Sequence, residues 1–132
     1  MEISKELEYT IIGLIDLAER DGRCSAGEIA RSMQLPEELI KKIFQKLSRA
    51  EIVRSVKGAG GGYELNVPLE DLTIGDLKRA VSGESFVVSC LEDESSCSRI
   101  DICRIHDGMG KFQLMWNNFL DSVSIKELVS GV

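Results

Sequence analysis

Long apolar stretches are missing from this sequence of 132 residues. Charged side chains make up 29% of it, and they interrupt every apolar run well before the roughly 18 residues that a membrane span needs. The first residues also lack a basic segment followed by an apolar one, so no secretory signal is predicted and we expect a cytoplasmic protein. There is no internal repeat, and 43% hydrophobic residues are enough for one small folded domain.

Residues for nucleophilic catalysis are also scarce. The chain has a single histidine, His106, and no pairing of a nucleophile with a base, so we predict that it is not an enzyme. The glycine-rich segment 58–62 lacks the Gly-Lys-Ser/Thr of a phosphate-binding loop and does not lead from a strand into a helix. Nucleotide binding is therefore excluded as well.

Positive charge is in deficit over the whole chain but is concentrated in one segment. The net charge is −6 and the pI is about 4.9, which taken alone argues against a nucleic-acid partner. Between positions 31 and 57, however, seven basic residues stand against three acidic ones. This segment is where a surface for phosphate is expected.

Hydrophobic spacing predicts a helix-turn-helix unit followed by a β-hairpin. Helices are predicted over 4–19 and 25–33, and a third helix from Pro36, placed at its first helical position. Strands at 52–56 and 63–67 flank the glycine-rich tip, which together with the helices makes a winged helix. Further helices are predicted over 74–82, about 103–120 and from Ser124. The fold class is therefore mainly α, with a small hairpin wing and a long C-terminal helix.

Three of the four cysteines are close together, in the order Cys90-x6-Cys97-x5-Cys103-x2-His106. Thiolates are good ligands for zinc and for iron–sulfur clusters. The gaps are wider than the two to four residues of a usual zinc knuckle and favour a multi-metal cluster. Three unrelated thiols remain the alternative, and Cys24 is interpreted as an ordinary small residue. If a helix begins near Cys103, then Cys103 and His106 share one of its faces.

The order of these pieces resembles a known family. The wing 56–63, the cysteine-rich segment, a long helix bearing Trp116 and a terminal Ile125-x-x-Leu128 are similar to the dimeric winged-helix iron–sulfur transcription regulators that include IscR, NsrR and RirA. The resemblance covers nearly the whole chain. It implies a DNA-binding domain over 1–83, a cluster-binding segment over 84–106 (the Cys loop), and a dimerisation helix with a short terminal helix over 107–132.

The resemblance also implies a cofactor, an iron–sulfur cluster held by Cys90, Cys97 and Cys103, with [2Fe–2S] preferred over [4Fe–4S]. The fourth ligand is either His106, as in IscR-like members, or Glu8 of the partner subunit, as in NsrR-like members. Both candidates stay open. Lys57 takes the place of an arginine found in many members, and because lysine lacks the planar guanidinium, we expect weaker minor-groove readout by the wing.

The third helix is expected to enter the major groove of DNA with its N-terminal residues near base edges. Glu37, Glu38 and Lys41 lie there, and the acidic two suit hydrogen bonds from cytosine. The candidates for phosphate contacts are Lys42, Lys46, Arg49, Arg54 and Ser25. The candidate DNA-binding residues are Ser25, Glu37, Glu38, Lys41, Lys42, Lys46, Arg49, Arg54, Lys57 and Gly60. The long helix carries more apolar surface than a single small domain buries, so Phe112, Met115, Trp116 and Phe119 are expected to pack against a second copy. A homodimer would read a palindromic operator.

These observations predict a homodimeric transcription regulator that senses iron, redox state or nitric oxide through its cluster. The first alternative is a winged-helix regulator without a cluster, which senses through thiol chemistry, zinc or a protein partner. The second is a winged helix that binds protein instead of DNA, as the overall negative charge would allow.

Overall fold

Helices and one hairpin make up the regular structure of this computed structural model, which describes residues 3–20 and 22–129. The helices are α1 Lys5–Glu19, α2 Ala26–Met33, α3 Glu37–Arg49, α4 Ile74–Ser82, α5 His106–Ser122 and α6 Ile125–Leu128. Strands β1 Val53–Val56 and β2 Gly62–Leu65 pair antiparallel between α3 and α4. The predicted mainly α winged helix-turn-helix is confirmed. No helix in the described ranges is long and apolar enough to cross a membrane.

Hydroxyl side chains cap the helices where the sequence predicts helix starts. Ser4, Ser25, Thr73 and Ser124 each accept a hydrogen bond from a backbone amide of the following first turn. At Thr73 and Ser124 the capping box is complete, because the acidic side chain three residues on also accepts from the cap's own amide. At Ser25 the box is only half formed, since the Glu28 carboxylate accepts from the Ser25 hydroxyl instead of the Ser25 amide.

Two predicted helix starts are wrong, one by a single residue and the other by three. Pro36 is extended (φ −61°, ψ 123°) and is the N-cap of α3, which begins at Glu37. The turn before it is made by Gln34 in the left-handed region, at φ 56°. Helix α5 begins at His106 instead of Cys103, because Cys103 is extended (ψ 128°) and ends a short 3-10 turn. Cys103 and His106 therefore do not share a helix face.

The core lies where the first four helices meet. Leu14, Ile29, Ile40 and Phe44 are completely buried there, and each contributes about 1.5–3 kcal/mol of burial free energy. Helix α6 closes one end of this core with Ile125, which is also completely buried. Backbone hydrogen bonds tie α6 to the start of α4: the Ile125 amide donates to the Leu72 carbonyl at 2.8 Å, and the Ile74 amide to the Val123 carbonyl at 3.1 Å.

The wing is attached to the helical core on two sides. The amide of Tyr63 donates to the carbonyl of Cys24 at 2.8 Å, and the amide of Cys24 donates back to the carbonyl of Tyr63 at 3.1 Å. The Tyr63 ring packs on Phe44 of α3 with centroids 5.2 Å apart. Gly62 makes this approach possible: its φ is 144°, and a Cβ there would lie 2.7 Å from the Cys24 backbone.

Candidate DNA-binding surface and Cys loop

Helix α3 buries one face and exposes a charged one. Its buried residues Ile40, Ile43, Phe44 and Leu47 follow helical spacing. On the exposed side, Lys41 Nζ lies 3.4 Å from a Glu37 carboxylate oxygen and 3.6 Å from one of Glu38. The hydrogen bond and charge of Glu37, followed by the charge of Glu38, raise the pKa of Lys41 above its usual value. The N-terminal turn of α3 therefore presents a compensated cluster of charges instead of a positive patch.

The other basic residues predicted to contact DNA fall into two groups. Lys42, Arg49 and Lys57 are exposed, and no carboxylate of the described residues lies within 4 Å of their charged groups. Lys46 and Arg54 each form an ion pair with a carboxylate of the same chain: Lys46 with Glu6, and Arg54 Nη2 with Glu64 at 2.9 Å across the hairpin. The first group is the more readily available to phosphate, because it need not break an internal pair.

Ser25 and the wing tip differ in how available they are for contact with another molecule. The Ser25 hydroxyl already accepts from the Glu28 amide and donates to the Glu28 carboxylate, each at 3.1 Å. The glycines at the tip are open: Gly58 and Gly60 have φ of 97° and 74°, and a Cβ at either would meet nothing within 4 Å. The tip can therefore approach another molecule with its backbone.

The Cys loop is built from three consecutive 3-10 turns. They cover Ser89–Leu91, Glu94–Ser96 and Ile100–Ile102. Cys90 lies within the first turn, and Cys97 and Cys103 each follow directly after one of the other two. Cys90 and Cys97 are partly exposed and Cys103 is exposed, whereas Cys24 is buried in the core. Burial raises the pKa of the Cys24 thiol above its usual value, as for an unreactive core cysteine.

The structure brings His106 to one of the three cysteines. Its Nδ1 lies 3.3 Å from Cys90 Sγ, and its Nε2 lies 3.5 Å from a Glu94 carboxylate oxygen. Cys97 and Cys103 line a separate cavity of about 270 Å³. Within residues 3–20 and 22–129, no three His, Cys, Asp or Glu side chains are placed together as a metal ion would need. Glu8, on the first turn of α1, pairs with Lys5 at 3.2 Å.

The long helix α5 exposes an apolar face. Met115 and Phe119 are 69% and 57% exposed, while Phe112 and Trp116 are half-buried and Trp116 stacks against Phe119. Leu114 is 64% exposed as well, but it lies about 100° around the helix from Met115 and therefore on a different side; the sequence did not single it out. The signal for it was present, since Leu114 is a large apolar residue outside the buried stripe of the helix.

Gln113 is a further residue that the sequence did not single out. It is buried on α5, where its side-chain oxygen accepts from the amide of Val87 at 2.7 Å and its side-chain nitrogen donates to Asn117 at 3.0 Å. The first part of the Cys loop is thereby fastened to the middle of α5. A polar residue inside an apolar helix pattern was the available signal, because buried polar groups need partners.

Comparison with known proteins identifies the family of this chain. The model of a family described as Rrf2, iron-dependent transcriptional regulators, matches residues 3–131. The chain belongs to the Rrf2 family. Among its relatives, CymR of Bacillus subtilis is 32% identical, with 98% of this chain and 91% of CymR aligned. IscR of Sodalis glossinidius is 26% identical, over 99% of this chain and 80% of IscR.

A further relative and a solved structure also align with nearly the whole chain. NsrR of B. subtilis is 26% identical, over 99% of this Rrf2 chain and 92% of NsrR. A solved structure of CymR, described as the global cysteine regulator of B. subtilis, superposes with a TM-score of 0.73 over 97% of this chain and 95% of that one, at 27% identity. This Rrf2 protein is therefore a DNA-binding helix-turn-helix transcription regulator and not an enzyme, as predicted.

Proposed function

We propose that this Rrf2 protein is a homodimeric repressor or activator whose Cys loop holds an iron–sulfur cluster and thereby senses iron, redox state or nitric oxide. Residues 1–83 bind DNA, residues 84–106 hold the cluster and residues 107–132 form the dimer. The observation that carries this proposal is the surface placement of three cysteines on one segment of 3-10 turns, beside the only histidine.

The donor set fits such a group in its chemistry. Core cysteines are buried and inert, as Cys24 is, whereas the three cysteines of the Cys loop are accessible and soft ligands. Cys90, Cys97 and Cys103 would hold the cluster, and His106 is the local candidate for the fourth position because its Nδ1 already faces Cys90. A bound cluster supplies a redox-active and labile group. The Cys loop must close further to hold it, since the three thiols do not surround one point in the described part of the chain.

The Glu8 candidate has a different kind of support. Its side chain lies on the first turn of α1 and is 45% exposed, and within residues 3–20 and 22–129 its one ion pair is with Lys5, which solvent weakens. Glu8 of the partner subunit is therefore available without disturbing the core. The choice between His106 and Glu8 is one of the outcomes of the experiment below.

The experiment is purification without oxygen, followed by a visible spectrum and analysis of iron, sulfide and zinc. We expect a brown protein with nearly equal iron and sulfide, and loss of both in Cys97→Ser. Cys24→Ala is the matched control, because it removes a cysteine outside the Cys loop and should keep the colour. His106→Ala and Glu8→Ala then identify the fourth ligand by which of them changes the spectrum.

A second candidate function has its own observation. The three cysteines are not gathered around one point, and the CymR relative is described as a cysteine regulator. A colourless protein that cannot be reconstituted with iron and sulfide would favour regulation without a cluster. Bound zinc would then indicate a structural metal, and its absence would indicate thiol chemistry or a protein partner.

A further inference from the structure

Lys46 lies at a junction between three helices. From α3, its Nζ lies 2.9 Å from a Glu6 carboxylate oxygen on α1 and donates to the backbone carbonyl of Val81, near the end of α4, also at 2.9 Å. The partners are 40 and 35 positions away in the sequence, so these contacts tie together distant parts of the chain. The side chain is 38% exposed, which leaves it partly shielded from solvent.

Each contact satisfies a group that needs a partner. The Val81 carbonyl belongs to the last turn of α4, where no amide of the helix donates to the carbonyls. The helix dipole also favours a positive charge at this end. Glu6 lies in the first turn of α1, where the dipole favours a negative charge. Phosphate would have to take Lys46 away from both partners. Lys42, on the same helix, has no such pairing to break among the residues that the structure describes.

The end of α4 leads directly to the Cys loop. Gly83 turns the chain with φ 69°, and six residues after Val81 the amide of Val87 is held by Gln113 of α5. Cys90 follows three residues later. The segment 82–86 therefore lies between two hydrogen bonds, one from Lys46 of α3 to Val81 and one from Val87 to Gln113 of α5, and within it Ser85 accepts from Lys78 of α4.

We propose that Lys46 is a positioning residue that transmits changes in the Cys loop to α3, and not a phosphate contact. When the Cys loop moves, the end of α4 moves with it, and the hydrogen bond from Lys46 to Val81 shifts α3, the helix proposed to contact DNA. This inference rests on the proposed regulation of DNA binding by the Cys loop, but not on which cofactor the Cys loop holds.

The first test separates positioning from phosphate binding. Binding is measured by fluorescence anisotropy to a 30-bp duplex that the parent protein selects from a randomised pool, at several salt concentrations. Lys42→Met should lower the slope of log affinity against log salt by about 0.9 for each protomer that loses a phosphate contact. Lys46→Met keeps the aliphatic stem and should leave this slope unchanged. A slope that falls as much as in Lys42→Met would overturn the inference and leave the proposed function intact.

The second test measures transmission. The dissociation constant is compared with and without Cys90→Ser, in the parent and in Lys46→Met. We expect the fold-change caused by Cys90→Ser to shrink at least threefold in Lys46→Met and to return in Lys46→Arg, whose guanidinium can serve both acceptors. A merely structural role would change affinity without changing this ratio, and would refute the inference. A Cys90→Ser change without effect in the parent would contradict the proposed regulation of DNA binding by the Cys loop, and this inference with it. A parent that selects no duplex would contradict DNA binding itself.

Discussion

The exposed face of α5 allows the proposed dimer to be tested through one side chain. Phe119 leaves 57% of its surface exposed in the single chain. Full burial of such a side chain is worth about 1.5–3 kcal/mol, so covering the exposed share gives about 0.9–1.7 kcal/mol per protomer. In a two-fold symmetric interface the residue counts twice, about 2–3.5 kcal/mol in all. We therefore expect Phe119→Ala to raise the dimer dissociation constant by about 25- to 300-fold.

The assay is sedimentation equilibrium over a range of protein concentrations, with urea unfolding as a check on the fold. Only the smaller, already buried share of Phe119 stabilises the single chain, so the variant should lose no more than about 1.3 kcal/mol of folding free energy. Ile3→Ala is the control, because Ile3 is a half-exposed apolar residue outside the segment 107–132 that is assigned to the dimer. A dissociation constant that changes less than threefold in Phe119→Ala, with the fold intact, would refute the assignment of this face to the dimer.

Further predictions concern the wing, a helix cap, the buried thiol and the acidic part of the Cys loop. Gly62→Ala should destabilise the protein by about 2 kcal/mol or more, because its Cβ meets the Cys24 backbone, whereas Gly60→Ala meets open space and should cost about 1 kcal/mol; urea unfolding compares the two. Thr73→Ala removes a complete capping box and should cost about 1 kcal/mol in the same assay. With the three cysteines of the Cys loop replaced by serine, iodoacetamide should modify Cys24 only at a pH above the usual pKa of a thiol, because burial raises the pKa of Cys24 in the folded protein. The unfolded chain loses this proton at a lower pH than the folded one, so the free energy of unfolding should fall as the pH rises from the usual thiol pKa through the raised pKa of Cys24. Modification of Cys24 at neutral pH would contradict this prediction. If a cluster is bound, replacing the acidic run 92–94 by amides should raise its reduction potential, since nearby negative charge disfavours the added electron, and potentiometry without a shift would reject the idea.

The winged helix was predictable because its signals are local. Hydroxyl caps at Ser25, Thr73 and Ser124 mark helix starts within a few residues, and the glycine-rich tip between two β-prone runs marks the hairpin. The start of α5 was misplaced because helical periodicity does not show where the preceding chain is extended. Cys103 fits the spacing of the helix, but its backbone ends a 3-10 turn.

The sequence names candidate site residues, but it does not show what each of them contacts. Charge and spacing pointed to Lys46 as a phosphate contact, because periodicity places it on the polar side of α3. Its two partners come from α1 and α4, so only the packing of those helices reveals what Lys46 touches. The same holds for Gln113, whose partner Val87 is 26 positions away. Long-range polar contacts leave no periodic signal in a sequence.

The attachment of the wing has a consequence for how it would read DNA. Backbone hydrogen bonds to Cys24 and the packing of Tyr63 on Phe44 hold the hairpin in one place before any partner is present. A preorganised element loses little conformational entropy on binding, and it also cannot adapt its shape to a poor fit. Groove width varies with base sequence. We therefore expect the rigid wing to bind best to duplexes whose groove width fits it, and to discriminate among them by this width and not by the bases it touches.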